Sequence, residues 1–113
     1  MHELSLAMDV IDLASAEAAK HSTFHIYEIE IEVGELSGVE TEAFQFSLEM
    51  LAKESILNRA EIKILCIPGK AKCGGCKQEY DMHDLLTACP LCGGYAADII
   101  SGKEFRVKSM IAE

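Results

Sequence analysis

Four cysteines stand in two pairs with the spacing of a metal site. The pairs are Cys73-Gly-Gly-Cys76 and Cys89-Pro-Leu-Cys92, and twelve residues separate them. Glycine and proline within and beside the pairs favour tight turns that direct both sulfurs of a pair to one ion. Four thiolates suit tetrahedral Zn²⁺, with Zn–S distances of about 2.3 Å and no open coordination position. We predict a structural zinc ion here, over a catalytic zinc ion, a redox dithiol or disulfides.

The N-terminus carries a second group with coordination chemistry. The chain begins Met1-His2-Glu3, and a histidine at position 2 can chelate a metal through its imidazole, its backbone amide and the free α-amine. Ni²⁺ and Cu²⁺ accept such nitrogen donors in square-planar or tetragonal geometry, whereas zinc gains less from a planar set. A second-position histidine is more often a plain exposed residue in a fraying start. The residues alone leave both interpretations open.

The remaining cysteine and histidines are interpreted without metal chemistry. Cys66 alternates with Ile62 and Ile64, so we expect a small buried apolar residue in a strand. His83 lies between the two cysteine pairs. We expect it in an exposed loop rather than beside the zinc ion. A surface position is also expected for two further histidines, His21 and His25.

The apolar pattern predicts a helix followed by a strand. From Leu4 to about Lys20 the apolar residues recur with helical periodicity, and the span lacks Pro and Gly. From Tyr27 to Val33 apolar residues alternate with glutamates, as in a half-buried strand. The buried stripe of this first helix is expected to contain Leu4, Ala7, Met8, Ile11, Ala14 and Ala18, widened by Leu6, Val10 and Leu13.

A second helix and two more strands are predicted downstream. Ser37 and Glu40 have the spacing of a capping box, with Ser37 as the N-cap. Strands are expected over 61–67 and 104–111. The second helix is expected to bury Phe44, Leu48 and Leu51. The last strand is expected to place Phe105, Val107 and Ile111 on one face.

These elements predict an α+β or α/β fold with a three-stranded mixed sheet and two helices on one face. Residues 26–67 should form a right-handed parallel crossover. Lys63, Arg106 and Lys108 are placed to offset the repulsion between the glutamates of the first strand. Composition changes near residues 69 and 99, which predicts an α/β domain of residues 1–69 and 99–113. The Cys/Gly-rich stretch 70–98 is expected to be an inserted zinc-ribbon-like module, too poor in apolar residues to build its own core.

Charge and composition narrow the class of protein. The chain has 113 residues and a net charge of −9, which opposes binding to nucleic acid. No apolar run is long enough to cross a bilayer, and no secretion signal is visible at the N-terminus. Five cysteines without an export signal favour metal ligation over disulfides. We expect a cytoplasmic protein.

Three motifs in this order carry a resemblance to a known family. They are Met1-His2-Glu3-Leu4-Ser5, Val33-Gly34-Glu35-Leu36-Ser37 with Glu40, and the paired CxxC motifs. Over almost its full length the chain resembles the HypA/HybF family of nickel metallochaperones for hydrogenase maturation. The resemblance implies a nickel-binding α/β part, a four-cysteine zinc part inserted before the last strand, and no enzymatic activity.

The resemblance also implies metals, ligands and partners. Nickel(II) is carried as labile cargo and zinc(II) is structural. His2 is the implied nickel ligand, assisted by the Met1 amine and the Glu3 backbone, and Cys73, Cys76, Cys89 and Cys92 are the implied zinc ligands. Glu40 is either an outer nickel ligand or only a helix cap. The implied partners are a HypB-type GTPase and the large subunit of [NiFe]-hydrogenase, into which nickel is inserted.

Other functions are weighed against this one. A zinc-ribbon adaptor for transcription or RNA should surround its knuckles with basic and aromatic residues, but residues 70–98 hold three lysines and four acids. A hydrolase or deaminase needs an open zinc coordination position, which two CxxC pairs do not leave. Nickel delivery to urease is an alternative within the carrier class. Monomer and homodimer are both consistent with a small sheet that has free edges.

Overall fold

The computed structural model describes residues 2–112, which form two helices and six strands. Each predicted helix and strand is present, and three further short strands lie between residues 70 and 101. The elements are α1 His2–Lys20, β1 Ile26–Gly34, α2 Thr41–Ala52, β2 Glu61–Ile67, β3 Lys70–Cys73, β4 Glu79–Asp81, β5 Ala97–Ser101 and β6 Phe105–Ala112. Neither helix in this part of the chain has the length and apolar character that crossing a membrane requires.

The first sheet is mixed and has the strand order β2-β1-β6. Its central strand buries Ile29, Ile31 and Val33 through the alternation expected from the sequence. α1 and α2 pack against each other, and Phe44 and Leu48 of α2 are fully buried. The predicted fold class, two helices with a three-stranded mixed sheet, is therefore confirmed.

Residues on the neighbouring strands β2 and β6 offset the negative charge of the glutamates of β1. Lys63 Nζ of β2 lies 2.9 Å from Glu28 Oε1, and this contact raises the pKa of Lys63 above its ordinary value. On β6, Ser109 Oγ donates to Glu30 Oε1 at 2.9 Å. The predicted role of Lys63 is confirmed, and Ser109 adds a hydroxyl donor that the charge pattern did not indicate. The roles of Arg106 and Lys108 stay predictions.

Several details of the predicted burial are wrong. On α1 the buried stripe is Ala7, Val10, Ala14 and Ala18, so Val10 belongs to its centre, whereas Leu4, Met8 and Leu13 are about half exposed. Tyr27, at the start of the alternation in β1, is also half exposed, and Leu51 of α2 is only partly buried. On β6, Phe105 and Val107 are half-buried as expected, but the alternation then shifts by one residue, so that Met110 is half-buried and Ile111 is exposed. Cys66, expected to be buried, is exposed on the edge strand β2.

The second sheet is antiparallel and has the order β4-β3-β5. In its register Ala71 lies opposite Tyr80 on one side and Ile99 on the other. This sheet packs on a small apolar core that the cysteine-rich stretch shares with one residue from outside it. The core contains Leu36, Ala71, Cys73, Tyr80, Met82 and Cys89. Leu36, which precedes the cysteine-rich stretch, supplies apolar surface that the stretch itself lacks.

The chain divides into two compact units. One, the helical unit, holds the chain up to Ile31, Val39–Leu65 and the chain from Arg106. The other, the cysteine unit, holds Glu32–Gly38 and Cys66–Phe105. The boundaries at 69/70 and 98/99 stay a prediction about separately folding domains.

Candidate metal sites

The two cysteine pairs form turns of the same design. The N–H of Lys77 donates to the Cys73 carbonyl at 3.1 Å. In the second pair, the N–H of Gly93 donates to the Cys89 carbonyl at 2.8 Å. Lys77 and Gly93 occupy equivalent positions and both have positive φ, 67° and 76°. The same backbone turn therefore presents each pair of sulfurs, and β3 fixes the first turn because the strand ends at Cys73.

The four sulfurs converge on one point. All four Sγ atoms lie within 4.8 Å of one another, with Cys73 to Cys92 at 3.4 Å and Cys76 to Cys89 at 3.6 Å. Sulfurs around a tetrahedral zinc ion at about 2.3 Å are separated by about 3.8 Å. A disulfide needs a separation of about 2.0 Å, and all five cysteines are free. The arrangement fits one zinc ion.

Backbone donors prepare one of these sulfurs for a metal. The N–H groups of Cys76 and Gly75 donate to Cys73 Sγ at 3.5 and 3.4 Å and lower the pKa of Cys73 to about 6. The Gln78 N–H lowers the pKa of Cys76, but burial and the adjacent sulfurs outweigh it and raise that pKa to about 11. The cluster therefore resists losing all its protons unless a cation offsets the thiolate charges.

His83 lies away from the sulfurs, in the exposed position expected for it. Its Nδ1 is 2.8 Å from Glu35 Oε2, and Glu35 Oε1 accepts the Gly69 N–H at 2.8 Å. This contact raises the pKa of His83, while the Gly69 N–H and then His83 lower the pKa of Glu35. Sequence reasoning missed the role of Glu35, although the residue stands in one of the motifs that carry the resemblance.

At the N-terminal site, Met1 lies outside the described residues. His2 is exposed and begins α1. Glu3 Oε2 accepts the backbone N–H of Glu40 at 3.0 Å, which lowers the pKa of Glu3. The structure thus brings Glu3 and Glu40 together across 37 residues of sequence. Among residues 2–112, the four cysteines form the one cluster of at least three His, Cys or acidic side chains able to hold an ion, so His2 is not in such a group.

Glu40 is the N-cap of α2, and its side chain accepts the N–H of Glu42 at 3.3 Å. The predicted capping box with Ser37 as the cap is therefore wrong. Gly38, between the two positions, has φ +81°, a left-handed conformation that a right-handed helix does not continue through. α2 therefore begins three residues later than the motif indicated, and Glu40, rather than Ser37, is its N-cap.

The four-cysteine site, which fits one tetrahedral zinc ion, defines a metal-binding protein. A family model described as "Hydrogenase/urease nickel incorporation, metallochaperone, hypA" matches residues 1–112. The chain belongs to this HypA family, as the motifs predicted.

Similar proteins span the whole chain. The hydrogenase maturation factor HypA of Parabacteroides distasonis is 39% identical over 98% of this chain and 96% of its own length. That of Francisella philomiragia is 36% identical over 98% of both chains. The solution structure of the Ni metallochaperone HypA from Helicobacter pylori superposes with a TM-score of 0.67 at 24% identity, covering 99% of this chain and 97% of that one. The last comparison shows a shared fold.

Proposed function

We propose that this chain is a nickel metallochaperone for hydrogenase maturation that binds Ni²⁺ at its N-terminus. The observation that carries the proposal is the family match over residues 1–112, which includes Met1-His2-Glu3. As in the metallochaperone family to which it belongs, the chain carries metal rather than catalysing a reaction. Its place of action is the cytoplasm.

His2 is the principal nickel ligand in this proposal. Its imidazole is exposed, and Ni²⁺ binds the His2 backbone nitrogen by displacing its proton, with the Glu3 backbone assisting. The Met1 amine completes a set of nitrogen donors that suits square-planar Ni²⁺. Such a chelate is labile, because protonation of its donors or a better ligand set on an acceptor protein dissolves it.

Glu3 and Glu40 have supporting roles. A cation at a helix N-terminus faces the positive end of the helix dipole, and the Glu3 carboxylate offsets this cost. Glu40 Oε1 accepts the Glu42 N–H, so Glu40 would bind nickel as an outer ligand through its other carboxylate oxygen. Glu40 therefore caps α2 whether or not it also touches the metal.

The cysteines hold zinc in a closed structural site. Cys73, Cys76, Cys89 and Cys92 use all four positions of a tetrahedral ion and leave none for a substrate. When bound, zinc offsets thiolate repulsion and links the two turns. The buried Cys73 and Cys89 join the site to the small core of the cysteine unit.

The partners in this proposal are a HypB-type GTPase and the large subunit of [NiFe]-hydrogenase. The net charge of −9 favours basic protein surfaces over nucleic acid. The family description names urease as well as hydrogenase, so delivery to urease is the second candidate function. Either a monomer or a homodimer is compatible with this role.

Nickel titration by calorimetry tests the site. His2→Ala should lower nickel affinity at least about tenfold, because a nitrogen ligand is lost. His25→Ala, which changes another exposed histidine, should leave the affinity unchanged. Zinc content should be the same in all three proteins. Wild-type nickel affinity in the His2→Ala protein would refute the assignment.

A further inference from the structure

A groove with apolar walls runs between the outer faces of α1 and α2. Its volume is about 230 Å³, and its lining consists of Met8, Ile11, Asp12, Leu51, Glu54 and Ser55. Residues four apart share a helix face, which places Leu4 beside Met8 on α1, and Met50 precedes the lining residue Leu51 on α2. Leu4, Met8 and Met50 are 46%, 52% and 49% exposed. The groove and its margins therefore leave a continuous apolar surface uncovered.

The two helices beside the groove are acidic. α1 and α2 together contain six acidic residues and one basic residue, Lys20, which pairs with Glu17 at 3.4 Å, while Lys53, directly after α2, lines a different cavity. Asp12 and Glu54 lie in the groove itself, and within residues 2–112 neither carboxylate has an ion-pair partner. Two carboxylates beside an apolar floor attract a ligand that is both apolar and cationic.

We infer that the α1/α2 groove is a docking site for an amphipathic helical segment of a partner protein, with apolar side chains flanked by Lys or Arg. Grooves between helices bind such segments through apolar anchors spaced three and four residues apart. The Met8 side chain in the groove is flexible and polarizable, which lets it adapt to an inserted side chain. Asp12 and Glu54 then pair with the flanking cations.

The charge selects this occupant over two others. An anionic membrane surface is repelled by the acidic helices, and a second copy of this chain carries the same net charge of −9.

Met8 lies six residues after His2, which is about 9 Å along the helix axis. A segment in the groove therefore lies on the helix that begins with His2. The inference does not depend on nickel binding, because no groove residue is a proposed metal ligand.

Two synthetic peptides of opposite charge provide the probe. One is an amphipathic helix of leucine and lysine, and its matched control has glutamate in place of lysine. We expect the lysine peptide to shift the backbone NMR signals of Met8, Ile11 and Leu51 in the zinc-loaded chain. Its affinity should fall several-fold as NaCl rises from about 50 to 500 mM, because salt screens the carboxylates. The glutamate peptide should not bind.

Variants test whether the groove is the site. Met8→Lys places a cation in the groove and should weaken binding of the lysine peptide about tenfold. Leu86→Lys, in the cysteine unit, changes a side chain that is 83% exposed and should leave the affinity unchanged. Asp12→Asn combined with Glu54→Gln keeps the apolar floor and should weaken binding several-fold, which provides a second test if Met8→Lys alters the fold by circular dichroism.

Several results would overturn the inference. They are signal shifts centred outside the groove, equal affinity for the two peptides, or unchanged binding in both groove variants. Tighter binding to phosphatidylglycerol vesicles than to the lysine peptide would indicate a membrane surface instead. Dimerisation that Met8→Lys abolishes would indicate a second copy of this chain.

Discussion

The carboxylate of Glu3 accepts a hydrogen bond from the backbone N–H of Glu40 at 3.0 Å, and this contact joins the first turns of the two helices. The start of α1 is thereby fixed to the N-cap of α2, although 37 residues separate the two positions. Glu3, the residue after His2, is thus held in place by a contact between the two helices. In the proposed nickel site, this contact positions the histidine relative to α2.

Removal of the Glu3 carboxylate should loosen this junction. In Glu3→Ala the Glu40 N–H loses its acceptor, so its hydrogen exchange should become several-fold faster. Nickel should also dissociate faster, while zinc content stays unchanged. Amide exchange by NMR measures the first effect. The control is Glu42→Ala, which removes a carboxylate from the first turn of α2. Equally faster exchange of the Glu40 N–H in both variants would contradict a specific role for Glu3.

Zinc binding should depend on the four clustered cysteines and not on Cys66. Cys73→Ala removes a buried ligand, so zinc content should fall from about one ion per chain towards zero, and the cysteine unit should lose its fixed structure. Cys66→Ala changes an exposed thiol outside the cluster and should retain both. Elemental analysis and NMR dispersion measure these outcomes. A zinc-free Cys73→Ala protein with a native spectrum would show that the metal does not stabilise the fold.

The ion pair between His83 and Glu35 should give stability a pH optimum. The pKa of His83 is raised above 6.5 by Glu35, helped by Asp81 and Asp84, so its contribution is complete below pH 6.5 and is lost as pH rises through the raised pKa. The pKa of Glu35 is lowered below 4.5, so its contribution is complete above pH 4.5 and is lost as pH falls through the lowered pKa. The pair therefore stabilises most between these limits.

Melting temperatures of the zinc-loaded chain at pH 5.5 and pH 8 measure this effect. Both side chains are partly exposed, so the loss at pH 8 should be at most a few degrees. His83→Ala should remove that part of the pH dependence, whereas His25→Ala should keep it. An unchanged pH profile in His83→Ala would mean that the pair contributes nothing.

Gly69 should not tolerate a side chain. A Cβ atom there would lie 2.0 Å from the Met82 carbonyl oxygen, next to the hydrogen bond that Met82 N–H donates to the Gly69 carbonyl at 2.9 Å. Gly69→Ala should therefore lower the free energy of unfolding by about 1–3 kcal/mol. At Gly75 a Cβ meets only sulfurs at 3.8 and 3.9 Å, so Gly75→Ala should be nearly neutral in a urea titration. Equal stability of the two variants would contradict this close approach.

Features with local causes were predictable from the sequence. The two CxxC pairs bring their own turn residues, so the convergence of Cys73 and Cys92 follows largely from spacing. The alternation in β1 likewise defines its buried face. The start of α2 was misassigned because the capping-box pattern fits Ser37, while the positive φ of Gly38 interrupts the chain there.

Contacts between distant residues were not predictable. Glu35 and His83 are 48 residues apart, and nothing in either local sequence indicates the pair. Leu36 completes the core of the cysteine unit from outside the cysteine-rich stretch, so the composition of that stretch alone does not predict the core. Cys66 continues an alternation that is typical of buried residues, but it lies in an edge strand and is exposed. Whether a helix covers such a position depends on the rest of the fold. Tertiary packing, rather than periodicity, decides each of these cases.

The most direct test of the nickel site compares two zinc-loaded proteins that differ by one glycine before Met1. The added residue leaves His2 in place but moves the free amine away from it. We predict that the native-ended chain binds one Ni²⁺ ion with the absorption spectrum of square-planar nitrogen coordination, and that the extended chain loses this spectrum and about tenfold or more in affinity. Equal uptake by both proteins, or a nickel spectrum dominated by sulfur ligands, would contradict the account.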